Sequence, residues 1–405
     1  MNEITGNYAS AKVYASIIGE ETENQIKTLL DQEFIKDCKV AIMPDCHAGK
    51  GCVIGTTIKI KDKIVPNLVG VDIGCGMLCV NLGKDSIDLE KLDIFIHENI
   101  PFGMNVNKAK TNFNIPLTKL ECYDDLKKKS YIDKSIGTLG GGNHFIEIDV
   151  SKDGTHYLVI HSGSRYLGKL VAEIYQNKAI AYQESRILDN EKVRNEIINE
   201  YKKENRQREI EQALIDLKNT KIELPMPKEL CYLSNDDFKK YMADMAICQD
   251  FAMENRKEIA RRIVDYLGKD LTQLFSFETV HNYINMKDKI LRKGAIAAYK
   301  DQLVLIPINM KDGCIIAKGK SNADYNYSAP HGAGRIMSRQ QAFKKIKLSD
   351  YTKEMEGIYS STVSEKTLDE SPFVYKPLEA ILENIKDTIE IVEIIKPIYN
   401  FKAEE

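Results

Sequence analysis

Strand-like and helix-like segments do not alternate regularly along this 405-residue chain, and their order is the strongest constraint on its fold. A doubly wound α/β fold requires strands and helices to follow each other in turn. Helical periodicity predicts helices at 20–32, 87–98, 235–266 and 378–394. Apolar and β-branched runs predict strands at 39–43, 52–60, 157–161, 274–281, 303–308 and 314–318. The sequence therefore predicts an α+β fold with mixed or antiparallel sheets flanked by helices.

A long charged segment follows the strand predicted at 157–161. Between residues 164 and 217 the chain is rich in charged residues, and no glycine occurs after Gly168. Apolar residues recur there at helical spacing, which predicts one or two long, largely exposed helices. We interpret 164–225 as a helical insertion or flank within one domain that spans 1–405.

The cysteine count and the charge balance limit where the chain works and what it binds. Nine scattered cysteines do not form a disulfide framework, which favours a reducing cytoplasm. No apolar run approaches the roughly 18 residues that span a bilayer, and the first residues lack the pattern of a signal peptide. The net charge of −3 restricts any nucleic-acid site to a local basic patch. We expect a cytoplasmic protein without membrane association, monomeric by default.

Asp72 and Cys75 lie in one turn that Gly74 interrupts. Four of the seven histidines lie beside small residues or at strand ends, namely His144, His161, His281 and His331. One carboxylate, one thiol and several imidazoles in such positions are typical of a transition-metal site with an accessible face. The alternative is an aspartate that caps a turn beside a small apolar cysteine.

Two loops combine candidate metal ligands with candidate phosphate contacts. His144 follows three glycines and Asn143, and Glu147 comes three residues later. Such a loop offers backbone donors to a phosphate. His161 begins the segment His-Ser-Gly-Ser-Arg, so a metal ligand and Arg165 share one loop. For each histidine alone, the alternative is a turn or core residue bonded to backbone.

His331 lies in the segment Pro-His-Gly-Ala-Gly-Arg, with Arg335 at its end and Arg339 one turn later. The glycines would expose the imidazole and bring backbone donors to an anion, which indicates a nucleophile that attacks phosphorus. The alternative is a fourth histidine ligand. Asp45 and His47, in a second glycine-rich segment, are candidates for support of the site or for substrate contacts.

Together these segments resemble the RtcB family of RNA-splicing ligases, and the resemblance runs essentially from end to end. The matching blocks are 43–55, 69–77, 137–147, 161–168, 281–283, 292–295, 328–339, 369–372, 375–376 and 397–402. The resemblance implies one large RtcB-like catalytic domain. It also implies an enzyme that joins an RNA 3′-phosphate or 2′,3′-cyclic phosphate to a 5′-hydroxyl for tRNA splicing or RNA repair.

The resemblance further implies two manganese ions per site and GTP as cofactor, with the archease helper as a possible partner. Asp72, Cys75 and His144 would hold one ion. Cys75, His161 and His281 would hold the other, with the thiolate shared. His331 would form a covalent bond to GMP before the RNA end is activated as RNA-ppG.

The same resemblance assigns nucleotide contacts. Glu147 would accept from guanine N1 and N2, Tyr375 would stack on the base, and Lys402 would reach it. The full set of implied GTP contacts is Asn143, His144, Phe145, Ile146, Glu147, His281, Asn282, Pro307, Ile308, Asn309, Met310, Cys314, His331, Gly332, Ala333, Gly334, Tyr375 and Lys402. RNA or phosphate contacts, or support of the site, would come from Asp45, His47, Arg165, Arg335 and Arg339.

Three residues in the expected nucleotide pocket depart from the family pattern, and Ala403 replaces the usual glycine after Lys402. Many members read Pro-Gly-Ser-Met where this chain has Ile308 and Asn309 between Pro307 and Met310, and Cys314 replaces a usual serine. These changes bear on nucleotide affinity and base choice. Two other functions stay open: a metal-dependent phosphodiesterase or nucleotide hydrolase, and a non-catalytic scaffold that binds RNA ends for repair.

Overall fold

The fold consists of two large sheets with helices around them. The computed structural model describes residues 2–15, 18–188, 191–219 and 224–403. In chain order the strands are β1 (Asn2–Thr5), β2 (Ser10–Val13), β3 (Lys39–His47), β4 (Ile54–Lys59), β5 (Lys63–Ile64), β6 (Gly76–Gly83), β7 (Phe145–Val150), β8 (His156–Ser162), β9 (Leu233–Ser234), β10 (Ser276–Val280), β11 (Asn282–Ile284), β12 (Ile290–Lys293), β13 (Ala295–Ala297), β14 (Leu303–Asn309), β15 (Gly313–Gly319), β16 (Ser328–Pro330) and β17 (Ile389–Lys402). The helices are α1 (Glu20–Leu30), α2 (Pro66–Val69), α3 (Leu89–Asn99), α4 (Lys129–Asp133), α5 (Arg165–Leu188), α6 (Glu191–Lys203), α7 (Ile210–Asn219), α8 (Asn235–Tyr266), α9 (Arg339–Lys345), α10 (Leu348–Glu354) and α11 (Leu378–Ile385).

The larger sheet has seven strands in the order β10-β6-β8-β7-β17-β15-β14, and its neighbouring strands are antiparallel. The second sheet has six strands in the order β1-β2-β3-β4-β12-β11, with one parallel pair between β2 and β3. Short two-stranded pairs link β13 with β16 and β5 with β9. The predicted α+β class with mixed and antiparallel sheets is confirmed.

Strand alternation divides the seven-stranded sheet into two faces. On one face, residues such as Ile146, Ile148 and Ile160 join the apolar cluster that includes Ile259 and Ile263 of α8. Successive side chains of a strand point to opposite sides, so the residues between them face the other way. The opposite face of β7 and β8 therefore carries the polar residues from which a site can be built.

Most elements predicted from the sequence are present with small changes in length. The helices predicted at 20–32, 87–98 and 235–266 are α1, α3 and α8. The six predicted strands correspond to β3, β4, β8, β10, β14 and β15.

The C-terminal helix predicted at 378–394 is wrong beyond Ile385. Helix α11 ends there, and Ile389 begins the 14-residue strand β17. This strand pairs with both β15 and β7 and so joins two parts of the large sheet. Its β-branched residues suit a strand, and pairing on both sides outweighs the helical spacing that the apolar residues also show.

The charged segment forms three helices, α5, α6 and α7, and its first helix is not exposed as predicted. Leu167, Val171 and Tyr175 of α5 are buried in the core, where Tyr175 contacts Tyr241 of α8 at a ring-centroid distance of 5.2 Å. Residues 189–190 and 220–223 of the segment lie outside the described residues. Among the described helices, none is long and apolar enough to cross a membrane.

Arg256 of α8 is a buried cation that connects separate elements. Its Nη1 donates to the carbonyls of Gly74 and Ser162, each at 2.9 Å, and its Nε donates to Glu278 at 3.2 Å. The Arg256→Met protein should lose roughly 3 kcal/mol of unfolding free energy in urea denaturation, because buried acceptors lose their partner. The matched Arg261→Met protein, changed at an exposed site on the same helix, should lose less than about 1 kcal/mol. Equal losses would contradict this role.

Candidate metal centre and nucleotide cavity

Cys75, His144 and His161 meet at one end of the large sheet. The Cys75 Sγ lies 3.4 Å from Nε2 of His144 and 3.3 Å from Nε2 of His161. Strand pairing explains this, because β8 lies between β6 and β7, with His161 opposite both Met77 and Phe145. Cys75 comes two residues before Met77, and His144 comes directly before Phe145, so their side chains reach the same point as His161.

Asp72 and His281 extend this group on its two sides. Asp72 Oδ2 lies 3.0 Å from Nε2 of His144, and Nε2 of His281 lies 3.4 Å from Nε2 of His161. The backbone N–H of His281 donates to the carbonyl of Cys75 at 3.0 Å. The structure therefore brings together the five side chains that the resemblance assigns as metal ligands.

Backbone carbonyls orient two of these imidazoles. The Nδ1–H of His144 donates to Leu139 at 2.9 Å, and that of His161 donates to Asn143 at 3.0 Å. A hydrogen bond at Nδ1 leaves Nε2 as the basic nitrogen. In both residues that nitrogen faces Cys75, as a metal ligand requires.

The electrostatics of this cluster suit a cation. Burial lowers the pKa of His161 and His281 well below the usual histidine value, so both rings are neutral. Burial would raise the pKa of Asp72, but the contact with His144, which donates and is charged only while its Nε2 is protonated, and the charge of Arg165 bring it to about 2. Burial raises the pKa of the Cys75 thiol well above its usual range. A bound cation would supply the positive charge that a thiolate needs here, so this donor set fits a transition metal.

Asn255 of α8 holds the loops that carry these ligands, and the sequence analysis missed it. Its Oδ1 accepts from the backbone of Gly137 at 2.8 Å and Thr138 at 3.0 Å. Its Nδ2 donates to Ser162 at 2.9 Å. A buried Asn-Arg pair in the apolar stripe of a long helix was the available signal, because buried polar groups need partners.

His331 directly follows β16 and lies beside the cluster of Cys75, His161 and His281. Its Nδ1 lies 2.8 Å from Oδ2 of Asp45, and its ring centroid lies 5.1 Å from that of His281. When Nδ1–H donates to the carboxylate, Nε2 carries the lone pair. Gly294 lies beside the ring, and a Cβ there would overlap with Cγ2 of Ile54 and lie 3.2 Å from Cε1 of His331. This is the arrangement of an oriented nucleophile.

His331 borders a cavity of about 260 Å³ that also reaches His161 and His281. Most of the implied GTP contacts line it. The lining is His47, Asn143, Phe145, Glu147, His161, His281, Pro307, Ile308, Asn309, Met310, His331, Gly332, Ala333, Gly334, Arg335, Arg339, Glu370, Tyr375 and Lys402.

Glu370 contacts other side chains of the cavity lining. Its carboxylate lies 2.9 Å from Nζ of Lys402 and accepts from the Tyr375 hydroxyl at 2.6 Å and from Arg335 at 3.2 Å. Burial would raise the pKa of Glu370, but the charge of Lys402 holds it below the usual value. Glu370 could not be assigned a role from the sequence, because a carboxylate in a short 3-10 helix carries no local signal of its partners.

Comparison with known proteins agrees with this arrangement. The sequence profile of the family described as tRNA-splicing ligase RtcB matches residues 25–122 and 117–403. The chain belongs to the RtcB family. It is 28% identical to the RNA-splicing ligase RtcB of Escherichia coli strain K12, with 90% of each chain aligned. It is 25% identical to the tRNA-splicing ligase RtcB of Nanoarchaeum equitans, with 94% of this chain and 91% of that protein aligned.

Several residues that the RtcB resemblance assigns to substrate lie outside the cavity lining. Ile146 packs on the helix-facing side of β7, because it alternates with Phe145 and Glu147. Asn282 uses its Oδ1 to accept from the backbone N–H of Gly294 at 2.9 Å.

Arg165 and Asp45 lie behind the cavity wall. The Arg165 guanidinium is 3.4 Å from Nδ1 of His144 and lies against Gly140, where a Cβ would be 1.9 Å from it. Arg165 therefore supports the Asp72 and His144 side of the cluster, and Asp45 supports His331.

The residues that depart from the usual RtcB pattern fall into two places. Ile308 and Asn309 line the cavity, but the Asn309 amide is engaged in its own turn, where its Nδ2 donates to Asp312 at 2.9 Å. Cys314 is fully buried beneath Glu147, with its Sγ 3.9 Å from Oε2.

Proposed function

We propose that this protein is a GTP- and manganese-dependent RNA ligase. It joins RNA 3′-phosphate or 2′,3′-cyclic phosphate ends to 5′-hydroxyl ends, in tRNA splicing or RNA repair. The observation that carries the proposal is the position of His331, oriented by Asp45 and exposed to a cavity beside the cluster of Cys75, His161 and His281.

The five clustered side chains would hold two cations. Asp72, Cys75 and His144 would bind one ion, and Cys75, His161 and His281 would bind the other. Cys75 contacts one histidine of each set, His144 and His161. When bound, Mn²⁺ neutralises phosphate charge. A soft thiolate with imidazole and carboxylate donors is consistent with such an ion.

His331 would carry the covalent step. Its Nε2 attacks the α-phosphorus of GTP, a P–N bond forms, and pyrophosphate leaves. The RNA 3′-phosphate, formed by opening of any cyclic end, then takes GMP from His331 as RNA-ppG. The 5′-hydroxyl attacks that activated end, loses its proton, and releases GMP. Arg335 and Arg339, which line the cavity, would contact phosphates.

Incubation with α-labelled GTP and Mn²⁺ tests this proposal. We expect a label that stays on the protein after denaturation and is lost in acid. Release of opened cyclic ends without an adduct would favour a phosphodiesterase. The absence of both an adduct and opened ends would favour a scaffold that binds RNA ends. RNA binding should weaken with salt, because phosphate contacts release counterions. Cytoplasmic location, a monomeric state and partnership with archease remain predictions.

Glu147 gives the proposal a pH dependence. Burial raises the pKa of Glu147 to about 7, so below that pH one carboxyl oxygen carries a proton, and the group cannot accept from both guanine N1 and N2. Guanosine affinity should therefore fall about tenfold between pH 8 and pH 6. Equilibrium dialysis with guanosine avoids titration of the triphosphate. The Glu147→Gln protein should bind weakly at both pH values, and a wild-type affinity that does not change with pH would contradict this role.

Asp45 acts as a positioning residue for His331. In Asp45→Asn the acceptor at Nδ1 weakens, and the rate of guanylylation should fall by about 100-fold or more. The KM for GTP should stay unchanged, because the Asp45 side chain lies behind the cavity wall. Single-turnover kinetics with labelled GTP separates the two effects. A change confined to KM would show that Asp45 acts on nucleotide binding instead.

A further inference from the structure

A second cluster of buried potential metal ligands lies on the large sheet and includes Glu147. Glu147 and Asp149 alternate along β7, and Cys314 on β15 meets them. The potential ligand atoms of these three residues all lie within 4.8 Å of one another. Asn400 of β17 joins them, because its Nδ2 donates to Oε1 of Glu147 at 2.5 Å. Each of the four side chains is buried.

This cluster has more hydrogen-bond acceptors than hydrogen-bond donors. Both carboxylate oxygens of Asp149 and the Oδ1 of Asn400 have no hydrogen-bond partner within the part of the chain that the structure describes. A buried acceptor without a partner costs about 1–3 kcal/mol. The Asp149 carboxylate has no partner, and a second carboxyl and a thiol have ligand atoms within 4.8 Å of its own, which indicates that a positively charged group belongs between them.

We propose that Glu147, Asp149, Cys314 and Asn400 form a binding site for a zinc-class divalent cation, separate from the Cys75 cluster. One thiolate with carboxylate and amide oxygens suits a borderline cation such as Zn²⁺, whereas Mg²⁺ and Ca²⁺ prefer all-oxygen sites. Binding would release the proton of the Cys314 thiol and any proton on the carboxyls to solvent. Glu147 lines the cavity, which gives the cation a way in.

Shared use of Glu147 has a functional consequence, which rests on the proposed function whereas the cation site itself does not. A cation held by Glu147 removes the acceptor that guanine N1 and N2 would use. Cation and guanine should therefore exclude each other. Cys314 would make this chain sensitive to zinc-class ions at a position where a serine supplies no thiolate.

Cadmium titration tests the site, since a cadmium–thiolate bond has its own ultraviolet charge-transfer absorbance. The titration uses Cys75→Ser protein, in which the first cluster offers no thiolate, after circular dichroism shows that it is folded. We expect a cadmium–thiolate signal that disappears in Cys75→Ser/Cys314→Ser. Asp149→Asn in the same background should weaken cadmium binding roughly tenfold or more. Guanosine should reduce the signal.

A matched control is Cys75→Ser/Cys79→Ser, which removes another buried thiol of the large sheet and should keep the signal. Absence of a signal in folded Cys75→Ser protein would overturn the proposal, as would a signal that survives loss of Cys314. Failure of guanosine to compete would overturn the exclusion. Guanylylation of wild-type protein is scored separately, so a failed ligase and a failed cation site give different results.

Discussion

His331→Ala should retain no labelled GMP after denaturation, and its ligation rate should fall by at least about 10,000-fold. The reason is that the imidazole would form the covalent bond, and no other described histidine has the same combination of contacts. His331 alone pairs Nδ1 with a buried carboxylate while its ring borders the cavity. Gel analysis of protein incubated with α-labelled GTP measures the adduct, and ligation of a 3′-phosphate RNA measures the rate.

Two controls make this result specific. His97→Ala changes a histidine whose Nε2 contacts Ser361 far along the chain, and it should keep both activities. His331→Ala should still bind Mn²⁺, because its ring is not among the five clustered donors. An acid-labile adduct that persists in His331→Ala would identify a different nucleophile. Loss of Mn²⁺ binding in that variant would support the alternative that His331 is a metal ligand.

The candidate ligands could be located from sequence because each one carries its own local signal. Cys75 lies between two glycines, His144 follows three, and His161 ends an apolar strand. Such positions restrict the backbone within a few residues, so a local pattern is informative. Helix α8 was equally clear, since 32 residues show one continuous periodicity.

Other parts of the site depend on contacts between distant segments and leave no local pattern. Glu370 meets Lys402 only because the C-terminal half of β17 pairs with β7. Asn255 contacts Thr138 and Ser162, which are far from it in sequence. The exposure of α5 was mispredicted for the same reason. Its charged residues indicate an exposed face, but its buried face depends on packing against α8, which is distant in sequence.

The C-terminal error shows how sheet position decides between two periodicities. Residues 389–394 fit a helical spacing locally, but β17 is needed to connect β15 with β7. That same strand brings Asn400 and Lys402 to the cavity side of the sheet. The orientation of Ile146 was likewise determined by alternation along β7, which places neighbouring residues on opposite faces.

Cys75→Ala should abolish binding of both cations and lower guanylylation and ligation by at least about 1,000-fold. Its Sγ is the atom that contacts His144 on one side and His161 on the other, so both ligand sets lose their shared donor. Mn²⁺ stoichiometry, followed by electron paramagnetic resonance, measures the loss directly.

Cys79→Ala is the matched control, because Cys79 is buried on β6, the strand that directly follows Cys75, but lies outside the Cys75 cluster. It should cost about 1 kcal/mol of stability from the lost packing and leave Mn²⁺ binding intact. If Cys75→Ala kept one Mn²⁺, the thiolate would belong to a single ion, and the remaining ion would have to be held by the carboxylate and imidazoles alone. Retention of both ions would contradict the assignment of Cys75 as a ligand, and the short contacts of its sulfur would then reflect only packing between two oriented imidazoles.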